Sequence, residues 1–381
     1  MLKQEIMEYI NAHAEEAYQL LLTIAQIPAP SNHEEKRAEF CKNWLEAMGA
    51  EGVFIDEALN VVYPYHVTDD NPVVVYMAHT DVVFPDTAPL PLKEENGRIY
   101  CPGVGDDTAN LAALMLTAKY VTEKKLTPKD WGIVFVCNSG EEGMGNLKGS
   151  RKICRVYGGR IKEFYSFDGT MEGTVNCAVG SSRFLVTVKT EGGHSYGNFG
   201  RANAIAELAA IIADIYKIQV PQEGKTTYNA GTIEGGTSVN TIAQEAHMLC
   251  EYRSDRADGL AYMKEKFDEI FENHRNPEVE VKVEIVGIRP CEVLNEEQAA
   301  RRNQMVEDAG KLIEGITGKS PKAGSSSTDC NIPLSMGIPS VCFGTCYGKG
   351  AHTREEYVEK DSLYLGYQVA FESILKHFQT T

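Results

Sequence analysis

The chain has 381 residues, of which 43% are hydrophobic and 24% charged, the balance of a globular protein large enough for two domains. Lys and Arg number 37 against 54 Asp and Glu, and the formal net charge of −17 argues against nucleic acid as a partner. No apolar stretch is long enough to cross a membrane, and the N-terminal sequence lacks the basic and apolar regions of a signal peptide. We therefore expect a soluble cytoplasmic protein without a membrane partner. The ten cysteines are a small fraction of a chain of this length, which favours a reducing compartment over a disulfide-bonded protein.

The first part of the chain alternates between strand and helix patterns. Apolar residues three and four apart predict helices at Leu2 to about Ala25, at about Glu34 to Met48, and after Asp107. Short apolar or β-branched runs predict strands at Val53–Asp56, Val61–Val67, Val73–Met77, Ile133–Cys137 and Phe164–Phe167. This alternation predicts an α/β sheet.

The middle of the chain has a different order of elements. Its patterns predict strand Arg183–Thr190, helix Ala202–Ile218, strands Thr226–Glu234 and Glu245–Ser254, helix Gly259–Phe271 and strand Glu278–Val286. The order β-α-β-β-α-β is that of a ferredoxin-like α+β unit. We therefore predict an inserted domain over residues 182–289 and a discontinuous domain over residues 1–181 and 290–381. The latter resumes with helix Glu296–Ile316, strand Ser340–Phe343 and helix Ser362–Phe378.

Acidic residues and histidines cluster where the predicted strands end, which is where open α/β sheets bind ligands. They are His79 and Asp81 in MAHTD, Asp106 in GVGDDTAN, Glu141 and Glu142 after IVFVCNSG, Asp168 in FYSFD, and His352 in GKGAHTREEYV. Each has a plain structural alternative when taken singly: a hydrogen-bonded surface histidine, a helix-capping Asp pair, or a solvated Glu pair. Together, two histidines and three carboxylates supply enough ligands for two divalent ions that share one carboxylate. The remaining glutamate would be free to accept a proton from the attacking water.

These segments carry a resemblance to a known family. The motifs HxD, G-x-G-D-D, S-G-E-E-G, F-D-G, G-G-H-S, G-G-T-x-x-N and A-H-T-x-x-E occur in this order over nearly the whole chain. The set resembles the zinc-dependent peptidase and aminoacylase family that includes peptidase T, carboxypeptidase G, acetylornithine deacetylase and succinyl-diaminopimelate desuccinylase. The resemblance implies a mixed-sheet α/β catalytic domain of the zinc-aminopeptidase type with an inserted α+β ferredoxin-like lid that serves in dimerisation.

The resemblance also implies roles for individual residues. His79, Asp106 and Asp168 would hold one metal ion, and Asp106, Glu142 and His352 the other, so that Asp106 bridges the pair. Glu141 would be the general base, and Asp81 would orient His79. A cis peptide bond is expected between Asp106 and Asp107.

Three residues of the insert match family positions at the substrate. His194 matches a histidine that, in dimeric relatives, enters the active site of the partner subunit and donates a hydrogen bond to the oxyanion. Asn240 and Arg253 match substrate-binding positions. For Arg253 an ordinary ion pair at a strand end is an equal alternative. The chain departs from the family at Thr108 and Ala109, since many relatives carry Lys-Gly or Lys-Ala directly after the Asp pair.

The resemblance predicts amide hydrolysis by two divalent ions, with zinc expected and cobalt or manganese left open. The segments HTDVVFPD and AHTREEYV favour a peptidase of short peptides that resembles peptidase T, acting as a homodimer through the lid. An N-acyl-amino-acid deacylase or carboxypeptidase of the same family is the alternative. A binding protein with the same fold and no catalysis is a third hypothesis, because fold alone does not fix function.

Overall fold

The computed structural model describes residues 2–379. By its internal contacts the chain forms two compact units. The first unit contains the residues up to Ala178 and those from Glu292 onwards, and the second is Val179–Cys291. The predicted insertion, residues 182–289, falls within the second unit.

The described residues contain nine α-helices and eighteen strands. The helices are α1 (Gln4–Gln26), α2 (Glu35–Ala47), α3 (Ala109–Glu123), α4 (Lys148–Tyr157), α5 (Ala204–Ile215), α6 (Ala257–Asn273), α7 (Glu296–Thr317), α8 (Asn331–Ser335) and α9 (Lys360–Leu375). The strands are β1 (Phe54–Ile55), β2 (Val61–Tyr65), β3 (Val73–His79), β4 (Lys93–Glu95), β5 (Arg98–Tyr100), β6 (Gly132–Asn138), β7 (Ile161–Phe167), β8 (Gly173–Ala178), β9 (Gly180–Lys189), β10 (Gly193–His194), β11 (Thr226–Gly235), β12 (Thr241–Ile242), β13 (Glu245–Ser254), β14 (Glu280–Arg289), β15 (Lys322–Ser326), β16 (Ser340–Phe343), β17 (Gly348–Lys349) and β18 (Tyr357–Glu359).

An eight-stranded mixed sheet is the centre of the first unit. Its order is β1-β2-β6-β3-β7-β16-β8-β15, and β6, β3, β7 and β16 run parallel to one another. Every residue of β3 is buried, because its alternate side chains enter two different hydrophobic clusters. Val74 and Tyr76 belong to one cluster, and Val75 and Met77 to the other. The mixed α/β fold confirms the predicted fold class, and the continuously apolar run was the correct signal for a strand covered on both faces.

The first unit also contains a small antiparallel sheet that the sequence analysis did not predict. Its order is β17-β18-β5-β4. Strand β5 ends shortly before Asp106, and the loop between β17 and β18 carries His352. These strands are two or three residues long, too short for a recognisable alternation of apolar and polar residues. The small sheet therefore brings two segments of the candidate site together by pairing that is remote in sequence.

The second unit consists of an antiparallel sheet with two helices. The sheet has the order β11-β13-β9-β14, and α5 and α6 contribute to one hydrophobic cluster with its strands. The order of elements along the chain, β-α-β-β-α-β, is the one predicted, with the short pair β10 and β12 added. Helix α5 begins two residues later than predicted, because the Asn203 side chain accepts hydrogen bonds from the N–H groups of Ile205 and Ala206 and caps it.

No helix among residues 2–379 has both the length and the apolar character needed to span a membrane.

Gly366 of α9 marks a close approach between a helix and a loop. A methyl group on this residue would overlap the carbonyl oxygen of Thr345. We therefore expect Gly366→Ala to lower the free energy of unfolding by about 1–3 kcal/mol, although alanine is the better helix former. The matched control is Gly315→Ala in α7, where a methyl group meets nothing within 4 Å. It should raise the free energy of unfolding by about 0.5–1 kcal/mol in the same urea titration, and equal effects of the two changes would contradict the steric argument.

Candidate metal centre

The candidate ligands lie at the carboxyl ends of three adjacent parallel strands. His79 is the last residue of β3, Asp168 follows β7 directly, and Glu141 and Glu142 follow β6 after a short turn. Because β6, β3 and β7 are neighbours in the sheet, their ends meet at one edge. Asp106 lies in an irregular turn, Val104–Thr108, immediately before α3, and the backbone is not helical at Asp106 and Asp107. The parallel sheet therefore gathers His79, Asp168 and the Glu pair, whereas the segments of Asp106 and His352 are brought together by the small antiparallel sheet.

Two sets of potential ligands share Asp106. The ligand atoms of His79, Asp106 and Asp168 all lie within 4.8 Å of one another, as do those of Asp106, Glu142 and His352. The Nε2 atom of His79 is 2.9 Å from Asp106 Oδ1, whereas the Nε2 atom of His352 is 3.1 Å from Asp106 Oδ2. One oxygen of Asp106 thus faces each histidine. This donor set of imidazole nitrogens and carboxylate oxygens suits two divalent ions, and it suits zinc, cobalt or manganese alike.

The buried carboxylates of the site repel one another electrostatically. Burial raises the pKa of Asp168 well above its usual range, and the neighbouring Asp106 carboxylate raises it further. Burial likewise raises the pKa of Glu142 to about 7, although the hydrogen bond with His352 opposes the shift. The opposite happens at Asp106, where hydrogen bonds from His352 and His79 overcome burial and lower the pKa. Buried groups with so much negative charge are stabilised by bound cations.

Asp81 contacts both His79 and the Glu pair. Its backbone carbonyl, not its carboxylate, is the nearer partner of His79 Nδ1, at 3.0 Å against 3.5 Å. The carboxylate accepts hydrogen bonds from the N–H groups of Glu141 and Glu142, both at 3.0 Å, and from the Ser31 hydroxyl at 2.6 Å. Asp81 therefore positions the Glu pair as well as the imidazole, and its contact with the Glu pair was not predicted from the sequence.

The Asp106–Asp107 peptide bond is cis, as the family resemblance implied. The Asp107 carboxylate belongs to neither ligand set and accepts hydrogen bonds from the N–H of His79 at 2.8 Å and from the Asn110 side chain at 2.6 Å. The Asn110 side chain in turn donates to the carbonyl of Gly169, next to Asp168, at 3.0 Å. Asp107 and Asn110 therefore connect the segments that carry three of the candidate ligands.

Glu356 is a residue of the site that the sequence analysis did not single out. Its buried carboxylate accepts three backbone hydrogen bonds, from Gly103 at 2.7 Å and from Gly105 and Asp106 at 2.8 Å. It thereby holds the turn that presents Asp106. The A-H-T-x-x-E motif ends at Glu356, whereas the neighbouring Glu355 is exposed, but the motif by itself assigned Glu356 no role.

The three predicted residues of the insert all lie in the second unit. Arg253 forms a bidentate ion pair with Glu251 of its own strand, at 2.7 and 3.1 Å, which is the ion-pair alternative considered for it. The backbone carbonyl of Asn240 accepts from the N–H of Ser195, the residue after His194, at 3.0 Å. His194 ends β10 and Asn240 directly precedes β12, the strand paired with β10, whereas Arg253 lies within β13.

The hydrogen bonds of Glu356 make its contribution to stability measurable. Glu356→Ala would leave three N–H groups without their acceptor, so we expect the free energy of unfolding to fall by about 2–4 kcal/mol. Urea unfolding of the metal-free protein at pH 8 measures the change. Glu355→Ala, at the exposed neighbouring position, is the control and should change the same quantity by less than about 0.5 kcal/mol. A loss of equal size in both variants would show that the three hydrogen bonds contribute little.

Comparison with known proteins agrees with this geometry. A protein-family model described as Peptidase family M20/M25/M40 matches residues 75–376, which is more than half of the chain. The chain is 25% identical over 365 residues to the uncharacterized protein YqjE of Bacillus subtilis, covering 90% of this chain and 93% of that protein. It is 24% identical over 300 residues to acetylornithine deacetylase of Myxococcus xanthus, covering 75% of each.

Solved structures share the fold. A tripeptidase from Staphylococcus aureus superposes with a TM-score of 0.73 at 24% identity, covering 94% of this chain and 96% of that one. At this level of identity the likeness concerns the fold, while the family match concerns the sequence motifs as well. The chain therefore belongs to peptidase family M20/M25/M40 and is a metal-dependent hydrolase, as the resemblance of its motifs implied.

Proposed function

We propose that the protein is a di-metal peptidase that cleaves short peptides, as a dipeptidase, tripeptidase or aminopeptidase. The observation that carries the proposal is Asp106, whose two carboxylate oxygens each face one histidine of a separate ligand set. His79 and Asp168 would complete one site, and Glu142 and His352 the other. We propose zinc as the metal, since this donor set accepts it readily. Two divalent ions held by these residues would make a water molecule more acidic and polarise the scissile carbonyl.

Glu141 is the proposed general base. Its backbone N–H is fixed by Asp81, and its carboxylate lies within the cluster of His79, Glu141 and Glu142 but in neither of the sets that share Asp106. Glu142, by contrast, contacts His352 Nε2 at 3.0 Å. The two adjacent glutamates thus face different partners. Glu141 would accept the proton of the attacking water and return it to the leaving nitrogen, which is the work of a general acid–base group.

His194 is the proposed donor to the oxyanion. Its Nδ1 accepts hydrogen bonds from the N–H groups of Tyr196 and Gly197, at 3.2 and 3.3 Å. A neutral imidazole whose Nδ1 accepts carries its proton on Nε2, and that N–H is then available to donate. Asn240, directly before the paired strand β12, is proposed to bind substrate together with it. Arg253 is proposed to contribute a positive charge to the recognition of a substrate carboxylate while its pair with Glu251 keeps it in place.

A homodimer through the second unit is part of the proposal. Strand β11 is the outer strand of its sheet, and most of its residues are exposed. An exposed edge strand is a template for pairing with another chain. Exposed apolar side chains on β11 and on the adjoining helix α5, Ile233 at 53% and Ile205 at 42%, add area suited to a second copy.

An N-acyl-amino-acid deacylase is the second candidate function, favoured by the similarity to an acetylornithine deacetylase. The two candidates share the whole proposed mechanism and differ only in the acyl group of the substrate. A panel of dipeptides, tripeptides and N-acetyl amino acids separates them. Turnover of peptides with free amino termini supports the peptidase, and turnover of N-acylated amino acids alone supports the deacylase.

The role of Glu141 is tested by Glu141→Gln. We expect elemental analysis to find two metal ions per chain in both proteins, and kcat of the variant to fall at least about a hundredfold because the base is lost. Glu355→Gln, the same substitution at an exposed glutamate, should retain activity. An active Glu141→Gln protein would refute the assignment. Absence of both metal and turnover after reconstitution with zinc, cobalt and manganese would favour the binding-protein hypothesis.

The role of His194 is tested by mixing two inactive variants. In a heterodimer of His194→Ala and Glu141→Ala chains, the site of the His194→Ala chain keeps its own Glu141. It receives an intact His194 from the Glu141→Ala chain and is therefore complete. Random reassociation should therefore restore about a quarter of the wild-type activity, because half of the dimers are mixed and each has one complete site. Separate variants, dissociated and reassociated alone, are the controls. If His194 acts within its own chain, or the protein is a monomer by sedimentation, the mixture stays inactive.

A further inference from the structure

Arg37 of α2 is a wholly buried arginine beside the ligand segments. Its Nη1 donates to the carbonyl oxygen of Thr80 at 2.8 Å and to the hydroxyl of Thr108 at 3.4 Å, and its Nε donates to the carbonyl of Ile27 at 2.7 Å. Thr80 lies between His79 and Asp81, and Thr108 follows the Asp pair. One guanidinium therefore contacts two of the segments that form the candidate metal centre.

The hydrogen bonds of Arg37 leave its charge without a direct counterion. In the part of the chain that the structure describes, they go to carbonyl groups and a hydroxyl, and no carboxylate lies within ion-pair distance. A buried charge is unfavourable unless nearby opposite charges compensate it. Asp81 and Glu356 act on Arg37 in this way at longer range. Burial lowers the pKa of the guanidinium to about 10, so that it remains charged at neutral pH.

The surroundings of the candidate metal centre are rich in carboxylates, which a nearby positive charge stabilises. The ligand segments and their supports bring together seven acidic side chains: Asp81, Asp106, Asp107, Glu141, Glu142, Asp168 and Glu356. Among the described residues, the other buried lysine and arginines serve elsewhere. Lys119 pairs with Glu16, Arg302 pairs with Glu292, and Arg289 belongs to the second unit.

Arg37 contacts Thr108, the residue that directly follows the Asp pair and carries no charge of its own. We infer that Arg37 is a positioning residue that supplies, from α2, a buried positive charge next to the Asp106–Asp107 segment. Its charge, held against Thr80 and Thr108, stabilises the carboxylate-rich segments in the arrangement that presents His79 and Asp106. The inference rests on the proposed function only for its activity measurement.

Relocating the charge tests this inference. The variants are Arg37→Met, Arg37→Lys, the double variant Arg37→Met with Thr108→Lys, and a matched neutral control, Arg37→Met with Thr108→Met. Two quantities are measured: the urea midpoint of the metal-free protein, and kcat and KM of the metal-loaded protein. The urea midpoint does not depend on activity, so it tests Arg37 even if the proposed function fails.

We expect Arg37→Met to lower the urea midpoint by about 1 M and kcat by at least about tenfold, with KM within about twofold of wild type. Arg37→Lys should recover most of both losses because it keeps the charge. The double variant with Thr108→Lys should do the same, although it cannot rebuild the hydrogen bonds to the carbonyls of Thr80 and Ile27. The neutral control with Thr108→Met should recover neither.

Rescue by both Thr108→Lys and Thr108→Met would overturn the inference, because packing rather than charge would then explain the effect. Failure of Thr108→Lys to recover either quantity would overturn it as well. If Arg37→Met does not fold, the two double variants decide. A folded double variant with lysine and an unfolded one with methionine support the inference, whereas two unfolded double variants refute it.

Discussion

The dominant constraint on this molecule is the repulsion among buried carboxylates at the carboxyl ends of the parallel strands of its central sheet. Burial and mutual repulsion raise the pKa of Asp168 and Glu142, so the groups would not stay ionised there without compensation. The fold supplies part of that compensation from backbone N–H groups. Asp81 accepts two of them and Glu356 accepts three. The same hydrogen bonds that stabilise the negative charge also determine where each loop lies.

Buried strands and a buried helix hold the segments of the site in place. Strands β6, β3 and β7 are fully or largely buried, and each ends at a residue or turn of the site. Helix α3, buried along most of its length, starts directly after the turn that carries Asp106. The candidate ligands are therefore mounted on elements whose own positions are fixed by apolar packing, as a site of defined geometry requires.

The sequence predicted most of the central fold because its signals are local. Continuous apolar runs identified β3 and β6, and the order of patterns identified the β-α-β-β-α-β unit. The candidate ligands were recognised by their motifs and by their place at strand ends. The contacts between segments were not predictable in this way. Glu356 meets Asp106 across 250 residues of chain, and the exposed polar strand β15 has no apolar alternation to reveal it. Pairing that is remote in sequence leaves no periodic trace in either partner.

The burial of Arg37 is another feature that the sequence alone did not reveal. In the sequence it is one of several charged residues at the start of an amphipathic helix, where a solvated position is the ordinary expectation. Only the folded chain shows that its guanidinium lies wholly buried against the segments of His79 and Asp106. Its importance follows from what surrounds it rather than from any pattern to which it belongs.

Glu356 has a consequence for how the two ligand sets behave together. It shares a loop with His352 and at the same time holds the turn that presents Asp106. A shift of the His352 loop therefore moves the carboxylate that both sets have in common. The two ligand sets are therefore coupled through hydrogen bonds of the protein itself, in addition to the carboxylate that they share.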